Sequence, residues 1–184
     1  MTGLKVFEKE KRPLVLSFGC DGDVTWEIDI RKRMPNAEIH IFDPSGSSSW
    51  APKVQKLLDT SNIRLHHMWV QRKPRRSPYP ARTLPQILQM LGHEGRTIDM
   101  LKVDVENTEW PLFEAILTDC QVRFQHLNIE LHGQYCEQHQ RFFEALDACG
   151  YMITYREPNH WGCFGYRCIE YTIISRTHAR AEFQ

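Results

Sequence analysis

The most constraining feature of this sequence is a regular alternation, along the whole chain, of short apolar runs rich in β-branched residues with segments of helical periodicity. This alternation is typical of a parallel sheet whose strands are joined by crossover helices. The chain has 184 residues, which one domain accommodates, and its 41% of hydrophobic residues is ordinary for a globular protein. We therefore predict one α/β domain over residues 1–184, with a doubly wound, Rossmann-like sheet.

Seven segments have the length and composition of strands, and five have apolar residues at helical spacing. The predicted strands are Leu14 to Phe18, Glu38 to Phe42, Ile63 to Val70, Ile98 to Val103, His126 to Leu131, Tyr151 to Tyr155 and Ile169 to Ile174. The predicted helices are Thr25 to Met34, Trp50 to Asp59, Leu84 to Leu91, Glu109 to Thr118 and Glu137 to Cys149. Because residues 156–168 are too short and too rich in Pro, Asn and Gly for a crossover helix, we expect the last two strands to pair antiparallel. The predicted sheet is mostly parallel, with an antiparallel last strand.

Charge and hydropathy exclude several classes of partner. The 23 basic and 23 acidic residues cancel, so no overall charge attracts the chain to nucleic acid or to an anionic membrane. We interpret the basic, proline-rich stretch from Gln71 to Arg82 as a solvated loop, and we do not expect a nucleic-acid partner. No apolar run approaches the roughly 20 residues of a membrane-spanning helix.

The six cysteines bear on the compartment of the protein. They form no CxxC pair and no compact framework, so free thiols in a reducing compartment are the default expectation. Cys163 and Cys168 flank an aromatic loop and could pair or bind a metal, but two ligands at that spacing are a weak signal. We therefore expect a cytoplasmic protein, unless the chain is excised from a longer, membrane-anchored one.

A buried strand runs directly into a turn with two glycines, Gly19 and Gly22, and then into a helix. Glycine allows unusual backbone angles and the close approach of a ligand. In doubly wound sheets, ligands lie at the carboxyl ends of the strands, near the point where successive helices change faces. The second strand ends at Asp43, whose carboxylate is placed to accept hydrogen bonds from ribose hydroxyls. Together the two strand ends predict a site for a nucleoside-bearing cofactor.

The charge of the first turn favours one nucleoside cofactor over another. A nicotinamide dinucleotide needs glycines spaced to bring a helix N-terminus onto a pyrophosphate. This turn instead carries Asp21 and Asp23, which would repel a pyrophosphate but suit the cationic methionine end of S-adenosylmethionine. The turn therefore predicts S-adenosylmethionine and disfavours a nicotinamide oxidoreductase.

Several motifs along nearly the whole chain resemble those of FkbM-type methyltransferases, and more closely those of the methyltransferase-like proteins of animals. The matching segments are Ser17-Phe18-Gly19 with Asp23, Ile41-Phe42-Asp43-Pro44-Ser45, Thr83-Leu84, Leu101-Lys102-Val103-Asp104-Val105-Glu106-Asn107-Thr108-Glu109-Trp110, Asn128-Ile129-Glu130-Leu131-His132 and Glu170-Tyr171. The resemblance implies a Rossmann-like fold, S-adenosylmethionine as donor, and methylation usually directed at oxygen of small molecules or glycans. Asn107 departs from it, since the family commonly has glycine there. The predicted cofactor-binding residues are Gly19, Asp21, Gly22, Asp23, Asp43, Asp104 and Glu106.

Candidates for the chemical step lie at the carboxyl ends of the fourth and fifth strands. Methyl transfer is an in-line displacement at a sulfonium carbon, so the protein has to align donor and acceptor and help remove a hydroxyl proton. Asp104 follows the fourth strand. Glu130 and His132 close the fifth, on one side of it, because side chains alternate. We expect Asp104, Glu130 and His132 to be the catalytic residues.

These three side chains can act in two ways. In the first, His132 is a general base, with an unperturbed pKa of about 6.5, and Glu130 or Asp104 orients it. In the second, Asp104, Glu130 and His132 hold a divalent cation that acidifies a diol, as in catechol O-methyltransferase. We favour the first, because ligation by oxygen alone would be the clearer sign of magnesium. A structural role, in which Glu130 and His132 only satisfy the backbone of a loop, is the third interpretation.

The sequence therefore predicts an S-adenosylmethionine-dependent O-methyltransferase that acts on a small-molecule or glycan acceptor. The alternatives are a divalent-metal-dependent, catechol-type enzyme and a non-catalytic module that binds S-adenosylmethionine. The loop from Glu157 to Tyr166 offers aromatic surface for a substrate wall. We expect this loop, the 71–82 stretch or a partner chain in an oligomer to close the site.

Overall fold

The described part of the chain forms a large sheet of seven strands and a small one of two. A computed structural model describes residues 12–45, 51–71, 73, 79–133, 136–160, 163 and 167–182. The strands are β1 (Leu14–Phe18), β2 (Glu38–Phe42), β3 (Arg64–His66), β4 (Trp69–Val70), β5 (Ala81–Arg82), β6 (Ile98–Val103), β7 (Phe124–His132), β8 (Tyr151–Pro158) and β9 (Cys168–Ser175). The helices are α1 (Thr25–Arg33), α2 (Ala51–Ser61), α3 (Leu84–Leu91), α4 (Glu109–Leu117), α5 (Cys136–Ala148) and α6 (Arg176–Glu182), with a 3₁₀ turn at Thr118–Cys120.

The large sheet has the strand order β3-β2-β1-β6-β7-β9-β8. The first five of these strands are parallel to one another, while β9 is antiparallel to both β7 and β8. The chain moves outward from β1 to β3 and then continues on the other side of β1 with β6, so the strand order reverses between β1 and β6. The predicted Rossmann-like sheet and its antiparallel end are thus confirmed.

Helices cover both faces of the sheet around its central strands. One apolar cluster joins β1, β6 and β7 to α3, α4 and α5, with Leu16 and Phe113 among its members. A second cluster joins β1 and β2 to α1 and α2, with Ile39 and Leu58 among its members. All five residues of β1 are buried, as expected for a central parallel strand covered on both faces. The packed strands hold the turns at their carboxyl ends in fixed positions.

The predicted third strand, Ile63 to Val70, is divided in the structure. The strand β3 ends at His66, whose carbonyl accepts a hydrogen bond from the amide of Met68 at 2.9 Å, so the chain turns before β4 begins. The strand β4 then pairs in parallel with β5, outside the large sheet. The apolar run is continuous in the sequence because both pieces bury side chains, and periodicity alone does not show the turn between them.

The helix α6 is not predicted from the sequence. It directly follows β9, and its His178 and Ala179 are buried. Its seven residues are too few to establish an apolar period. None of the helices in the described ranges combines the length and the apolar character needed to cross a membrane.

The expectation of free thiols is wrong for four of the six cysteines. Cys120 is bonded to Cys149, which links the 3₁₀ turn after α4 to the end of α5, and Cys163 is bonded to Cys168. The first bridge joins residues 29 apart, so local spacing gives no sign of it. Because disulfides persist mainly in oxidising compartments, the cysteines no longer support the expectation of a cytoplasmic protein.

Candidate functional site

A cavity of about 350 Å³ lies at the carboxyl ends of β1, β2 and β6, where the sequence predicts the cofactor. Its volume is within the range of small-molecule sites, about 300–1,000 Å³. The lining includes four carboxylates and four large apolar side chains, and none of the described residues that line it is basic. The carboxylates are those of Asp21, Asp43, Asp104 and Glu106, and the apolar side chains are Phe42, Met68, Trp69 and Val70.

Gly19 allows the turns after β1 and β6 to touch. Its φ is +83°, and a Cβ atom placed on it would lie 1.7 Å from the carbonyl oxygen of Asp104. The amide of Asp104 donates to the carbonyl of Phe18 at 2.9 Å, which keeps the two turns together. Glycine is therefore required here by a backbone–backbone contact, whereas the sequence suggested only the approach of a ligand.

Asp43 directly follows β2, as predicted, and it borders the cavity and is only 3% exposed. Its Oδ2 accepts hydrogen bonds from the amides of Cys20 and Asp21, at 2.8 and 3.0 Å. Its Oδ1 accepts from the amide of Ser45 at 2.7 Å and from the Ser45 hydroxyl. Burial alone would raise the pKa of Asp43, but these hydrogen bonds hold it below its usual value. The carboxylate thus fastens the turn after β1 to the end of β2.

Two of the predicted cofactor residues, Gly22 and Asp23, are not among the lining residues of this cavity. They border a separate crevice between α1 and α2. Oδ1 of Asp23 accepts from the amide and the hydroxyl of Thr25, at 2.9 and 2.7 Å, and these bonds lower the pKa of Asp23. This is an Asx turn that leads the chain into α1. Of the acids in the first turn, only Asp21 reaches the cavity lining.

The turn after β6 brings Asp104 and Glu106 to the cavity. Glu106 and Asn107 both adopt left-handed backbone conformations, with φ of +50° and +73°. Asn enters this region more readily than most residues, which explains how Asn107 stands where the resembling family has glycine. The side chain of Glu106 is 80% exposed, and its Oε2 lies 3.3 Å from Nε2 of His132.

His132, at the end of β7, lies between two carboxylates. Its Nδ1 is 3.0 Å from Oε1 of Glu109, and its Nε2 faces Glu106. Burial would lower the pKa of His132, but the hydrogen bond and the charge of Glu109, together with the charges of Glu106 and Glu130, raise it to about 9. The unperturbed value assumed from the sequence therefore does not apply. In this arrangement the ring is a positively charged imidazolium at neutral pH, with a proton on both nitrogens. It must lose one of these protons before it can act as a base.

Glu109 is a residue of this site that the sequence does not single out. It is the first residue of α4 and is fully buried. Its Oε1 also accepts a hydrogen bond from the amide of Val105 at 3.1 Å, while its Oε2 has no hydrogen-bond partner among the described residues. The sequence shows Glu109 only as an acidic residue in the first turn of a predicted helix. Such residues usually interact with the helix dipole and are exposed to solvent, so the position does not indicate a buried role.

Glu130 lies on the same side of β7 as His132, as predicted, but it has a different hydrogen-bond partner. Its Oε1 accepts from Nδ2 of Asn159 at 2.9 Å. Burial raises the pKa of Glu130, and the negative charge of Asp104 adds to this effect, although Asn159 opposes it.

Candidate ligand atoms form two groups among the described residues, each within 4.8 Å, and His132 belongs to both. One group contains Asp104 and Glu106, and the other contains Glu130 with Cys163 and Cys168. Asp104 and Glu130 thus each share a group with His132 but not with each other.

The apolar wall of the cavity contains Met68 and Trp69, which are not among the cofactor-binding residues predicted from the sequence. Met68 and Trp69 lie there because the chain turns between β3 and β4. The sequence gives no reason to place Trp69 beside the cofactor, because the third strand is predicted to run without a turn to Val70. Only the turn within the run from Ile63 to Val70, which the sequence does not reveal, brings these residues to the cavity.

Two predicted loops extend beyond the described residues. Residues 72 and 74–78 of the basic stretch lie outside them, as do residues 161, 162 and 164–166 of the aromatic loop. A role for either loop in closing the site therefore stays a prediction.

Comparison with known proteins identifies relatives of the chain. Residues 3–175 match a family model described as a methyltransferase domain. The human protein "Probable methyltransferase-like protein 24" is 30% identical over 139 residues, which are 70% of this chain and 34% of that protein. The chain thus spans about a third of the length of the curated relatives it matches.

Two solved structures show the same fold. The methyltransferase FkbM of Methylobacillus flagellatus superposes with a TM-score of 0.55 over 88% of this chain and 44% of that one, at 13% identity. The fibrillarin of Aeropyrum pernix, solved with bound S-adenosyl-L-methionine, superposes with a TM-score of 0.54 over 88% of this chain and 66% of that one, at 10% identity. At these identities the likeness concerns the fold alone.

Proposed function

Because the chain belongs to the methyltransferase domain family, we propose that it binds S-adenosylmethionine in the cavity at the carboxyl ends of β1, β2 and β6 and methylates an oxygen atom. The acceptor is a hydroxyl group of a small molecule or a glycan. S-adenosylmethionine supplies an electrophilic methyl group on a positively charged sulfur. The protein has to hold donor and acceptor in line and to receive the acceptor's proton.

The composition of the cavity lining is the observation that carries this proposal. Four carboxylates and, among the described lining residues, no basic side chain give the lining a negative charge, which attracts a ligand with a cationic sulfur and an ammonium group. The same charge repels a pyrophosphate. Met68 and Trp69 supply the flat apolar surface on which an adenine ring stacks. The two parts of the lining thus fit the two ends of S-adenosylmethionine.

The ribose is assigned to the region between these parts, beside Asp43 and Ser45. Asp43 already accepts four hydrogen bonds, about the number that a carboxylate can accept. A ribose hydroxyl at this point therefore competes with the Ser45 hydroxyl or bonds to it. Asp43 contributes to binding chiefly by holding the turn that contains Cys20 and Asp21.

The acceptor is assigned to the side of the site formed by Asp104, Glu130 and His132. During transfer, the acceptor oxygen gives up its proton and bonds to the methyl carbon, and the carbon–sulfur bond breaks with its electron pair staying on sulfur. His132 can take the proton only where its own has been lost, since its pKa is about 9. Glu130 is the second candidate base, because its raised pKa strengthens its hold on a transferred proton.

Calorimetric titration with S-adenosylmethionine tests the proposal. We expect saturable binding, and a loss of tenfold or more in affinity for Asp104→Asn, which removes a lining charge. The matched control is Asp29→Asn, an exposed aspartate on α1 paired with Arg33, for which we expect unchanged affinity. Absence of saturable binding to the wild-type chain would refute the proposed cofactor.

Transfer itself is tested with a methyl-labelled donor and a panel of hydroxylated small molecules and glycans. Binding without transfer to any acceptor would favour the non-catalytic module over the enzyme. Where an acceptor is found, Glu130→Gln and His132→Asn separate the candidate bases. With the affinity for S-adenosylmethionine retained, a loss of kcat in Glu130→Gln alone identifies Glu130 as the base, whereas a loss in His132→Asn alone assigns the chemical step to His132, as a base or as a cation ligand.

A further inference from the structure

We propose that Asp104, Glu106 and His132 bind a divalent cation beside the cavity, and that Glu109 orients the histidine for this purpose. The chemical use of the cation rests on the proposed function, but its binding does not.

Three ligand atoms converge from two strand ends, those of β6 and β7. A carboxylate oxygen of Asp104, one of Glu106 and a ring nitrogen of His132 all lie within 4.8 Å of one another. Nε2 of His132 lies 3.3 Å from Oε2 of Glu106. Metal–ligand bonds of about 2.0–2.2 Å place neighbouring ligand atoms about 3 Å apart, so small rotations of the side chains complete the site.

His132 has a carboxylate partner on the ring nitrogen that faces away from the proposed cation. Metal-binding histidines almost always donate their other ring N–H to a carboxylate or a carbonyl. Nδ1 of His132 lies 3.0 Å from Oε1 of Glu109, which is fully buried. In the neutral ring this contact favours the tautomer with the proton on Nδ1, so a cation that displaces the proton on Nε2 meets its lone pair beside Glu106 of the β6 turn.

The negative charge around His132 also favours a cation. The imidazole of His132 faces the carboxylates of Glu106, Glu109 and Glu130, and Asp104 is also close to it. One proton on the ring compensates one of these negative charges, whereas a divalent cation compensates two. Glu109 makes the need for compensation acute, because it is fully buried and its Oε2 has no hydrogen-bond partner among the described residues.

The ligand set indicates the kind of cation. Two carboxylates with one imidazole suit Mn²⁺, Fe²⁺, Co²⁺ or Zn²⁺ better than Ca²⁺ or Mg²⁺, which prefer oxygen ligands alone. Three protein ligands leave coordination positions for water or for acceptor oxygens. A cation in this position lowers the pKa of a bound hydroxyl, so that His132 is not needed as the base.

The proposed ligands differ from those that the sequence suggests for a metal alternative. Glu106 takes the place of Glu130, which belongs to the other group around His132 and accepts a hydrogen bond from Asn159. The sulfurs of Cys163 and Cys168 are close to Glu130, but as a disulfide they are not thiolate ligands. Glu106 is therefore the residue that distinguishes the two sites.

The test measures Mn²⁺ binding to the folded chain without S-adenosylmethionine, by electron paramagnetic resonance of the free ion. We expect one saturable site. Glu106→Gln should lower the Mn²⁺ affinity at least tenfold. Because the side chain of Glu106 is exposed, we expect the variant to fold as the wild type does, and circular dichroism checks this. The matched variant Glu130→Gln should retain affinity within about threefold, since it removes a nearby charge but no ligand.

Absorption of the Co²⁺-loaded protein gives a second measurement, and we expect d–d bands without a thiolate-to-cobalt charge-transfer band. The proposal is overturned if Mn²⁺ does not saturate a site, if Glu106→Gln binds as the wild type does, or if the thiolate band appears. Titration of S-adenosylmethionine in the presence of a chelator reports on the proposed function separately. A chain that binds S-adenosylmethionine but not Mn²⁺ would refute only the cation site.

Discussion

Oε1 of Glu109 lies 3.0 Å from Nδ1 of His132, and neither side chain is more than 5% exposed. The contact joins the first residue of α4 to the last residue of β7, at the edge of the sheet where the turn after β6 also lies. A charge pair at this depth is costly to break, because removing one partner leaves the other charge buried without compensation. The pair therefore fixes the geometry around His132 whether or not a cation is bound.

Replacing Glu109 with Gln tests this relationship. The variant keeps the size of the side chain and loses its charge, so we expect the free energy of unfolding to fall by about 3 kcal/mol, the lower end for a broken buried pair. The pKa of His132 should also fall, because the hydrogen bond and the charge of Glu109 raise it. Urea denaturation gives the first quantity and nuclear magnetic resonance titration of the imidazole, with a chelator present, gives the second.

The control for this variant is Glu137→Gln, which breaks an exposed pair between Glu137 and Arg141 on α5. We expect its free energy of unfolding to change by less than about 1 kcal/mol. Equal effects of the two substitutions, or an unchanged pKa of His132 in Glu109→Gln, would show that the buried pair does not hold the site.

Gly19→Ala tests the contact between the turns after β1 and β6. The new Cβ would lie 1.7 Å from the carbonyl oxygen of Asp104, so one backbone must move. We expect a loss of more than about 3 kcal/mol in the free energy of unfolding, since steric clash adds to the cost of a left-handed alanine. Urea denaturation measures this loss, and titration with S-adenosylmethionine should show weaker binding in any folded fraction.

Gly92→Ala provides a matched control for Gly19→Ala. Gly92 ends α3 with a φ of +74°, but a Cβ atom on it would meet nothing within 4 Å. Gly92→Ala should therefore lower the free energy of unfolding by about 1–2 kcal/mol, the cost of a left-handed alanine without a steric clash. Similar losses for the two alanines would mean that the turns do not depend on their close contact.

The sequence predicts the fold better than it predicts the site, for a physical reason. Apolar periodicity reports burial within one element, so strands such as Leu14–Phe18 are predicted to the residue. The turns carry their own signals, and Gly19 and Asp43, which are predicted to bind the cofactor, both border the cavity. Contacts between elements leave no periodic trace. The partnership of Glu109 with His132 is of this kind.

The pairing of Cys120 with Cys149 is likewise a contact between elements, and it leads to a further prediction. The bridge joins residues 29 apart, whereas Cys163 and Cys168 are 5 apart. Loop-closure entropy gives a stabilisation of about 3.5 kcal/mol for the longer loop and about 2 kcal/mol for the shorter one. Urea denaturation should therefore show that Cys120→Ala/Cys149→Ala loses more stability than Cys163→Ala/Cys168→Ala. Detection of six reactive thiols in the unfolded, unreduced protein would contradict both bridges.

The pH dependence of stability is tested at His126 on β7. Burial lowers the pKa of His126 to about 4 from its ordinary value of 6.5, and the charge of His178 acts in the same direction. His126 is therefore protonated near pH 6.5 in the unfolded chain, but only near pH 4 in the folded chain. Stability from this residue is complete above the unfolded pKa and is lost as the pH falls through this window, by up to about 2 kcal/mol at pH 5.

His126→Leu removes this proton uptake and the ring nitrogen Nδ1, which is buried without a hydrogen-bond partner among the described residues. The pKa values of His40 and His66 are also lowered by burial, so the wild type loses stability in acid from more than one source. The informative quantity is the difference between the two proteins. Urea denaturation at pH 7.5 and pH 5 should show that the variant loses less stability than the wild type, by about 1–2 kcal/mol. An equal loss in both proteins would mean that His126 has the same protonation state in the folded and the unfolded chain at pH 5.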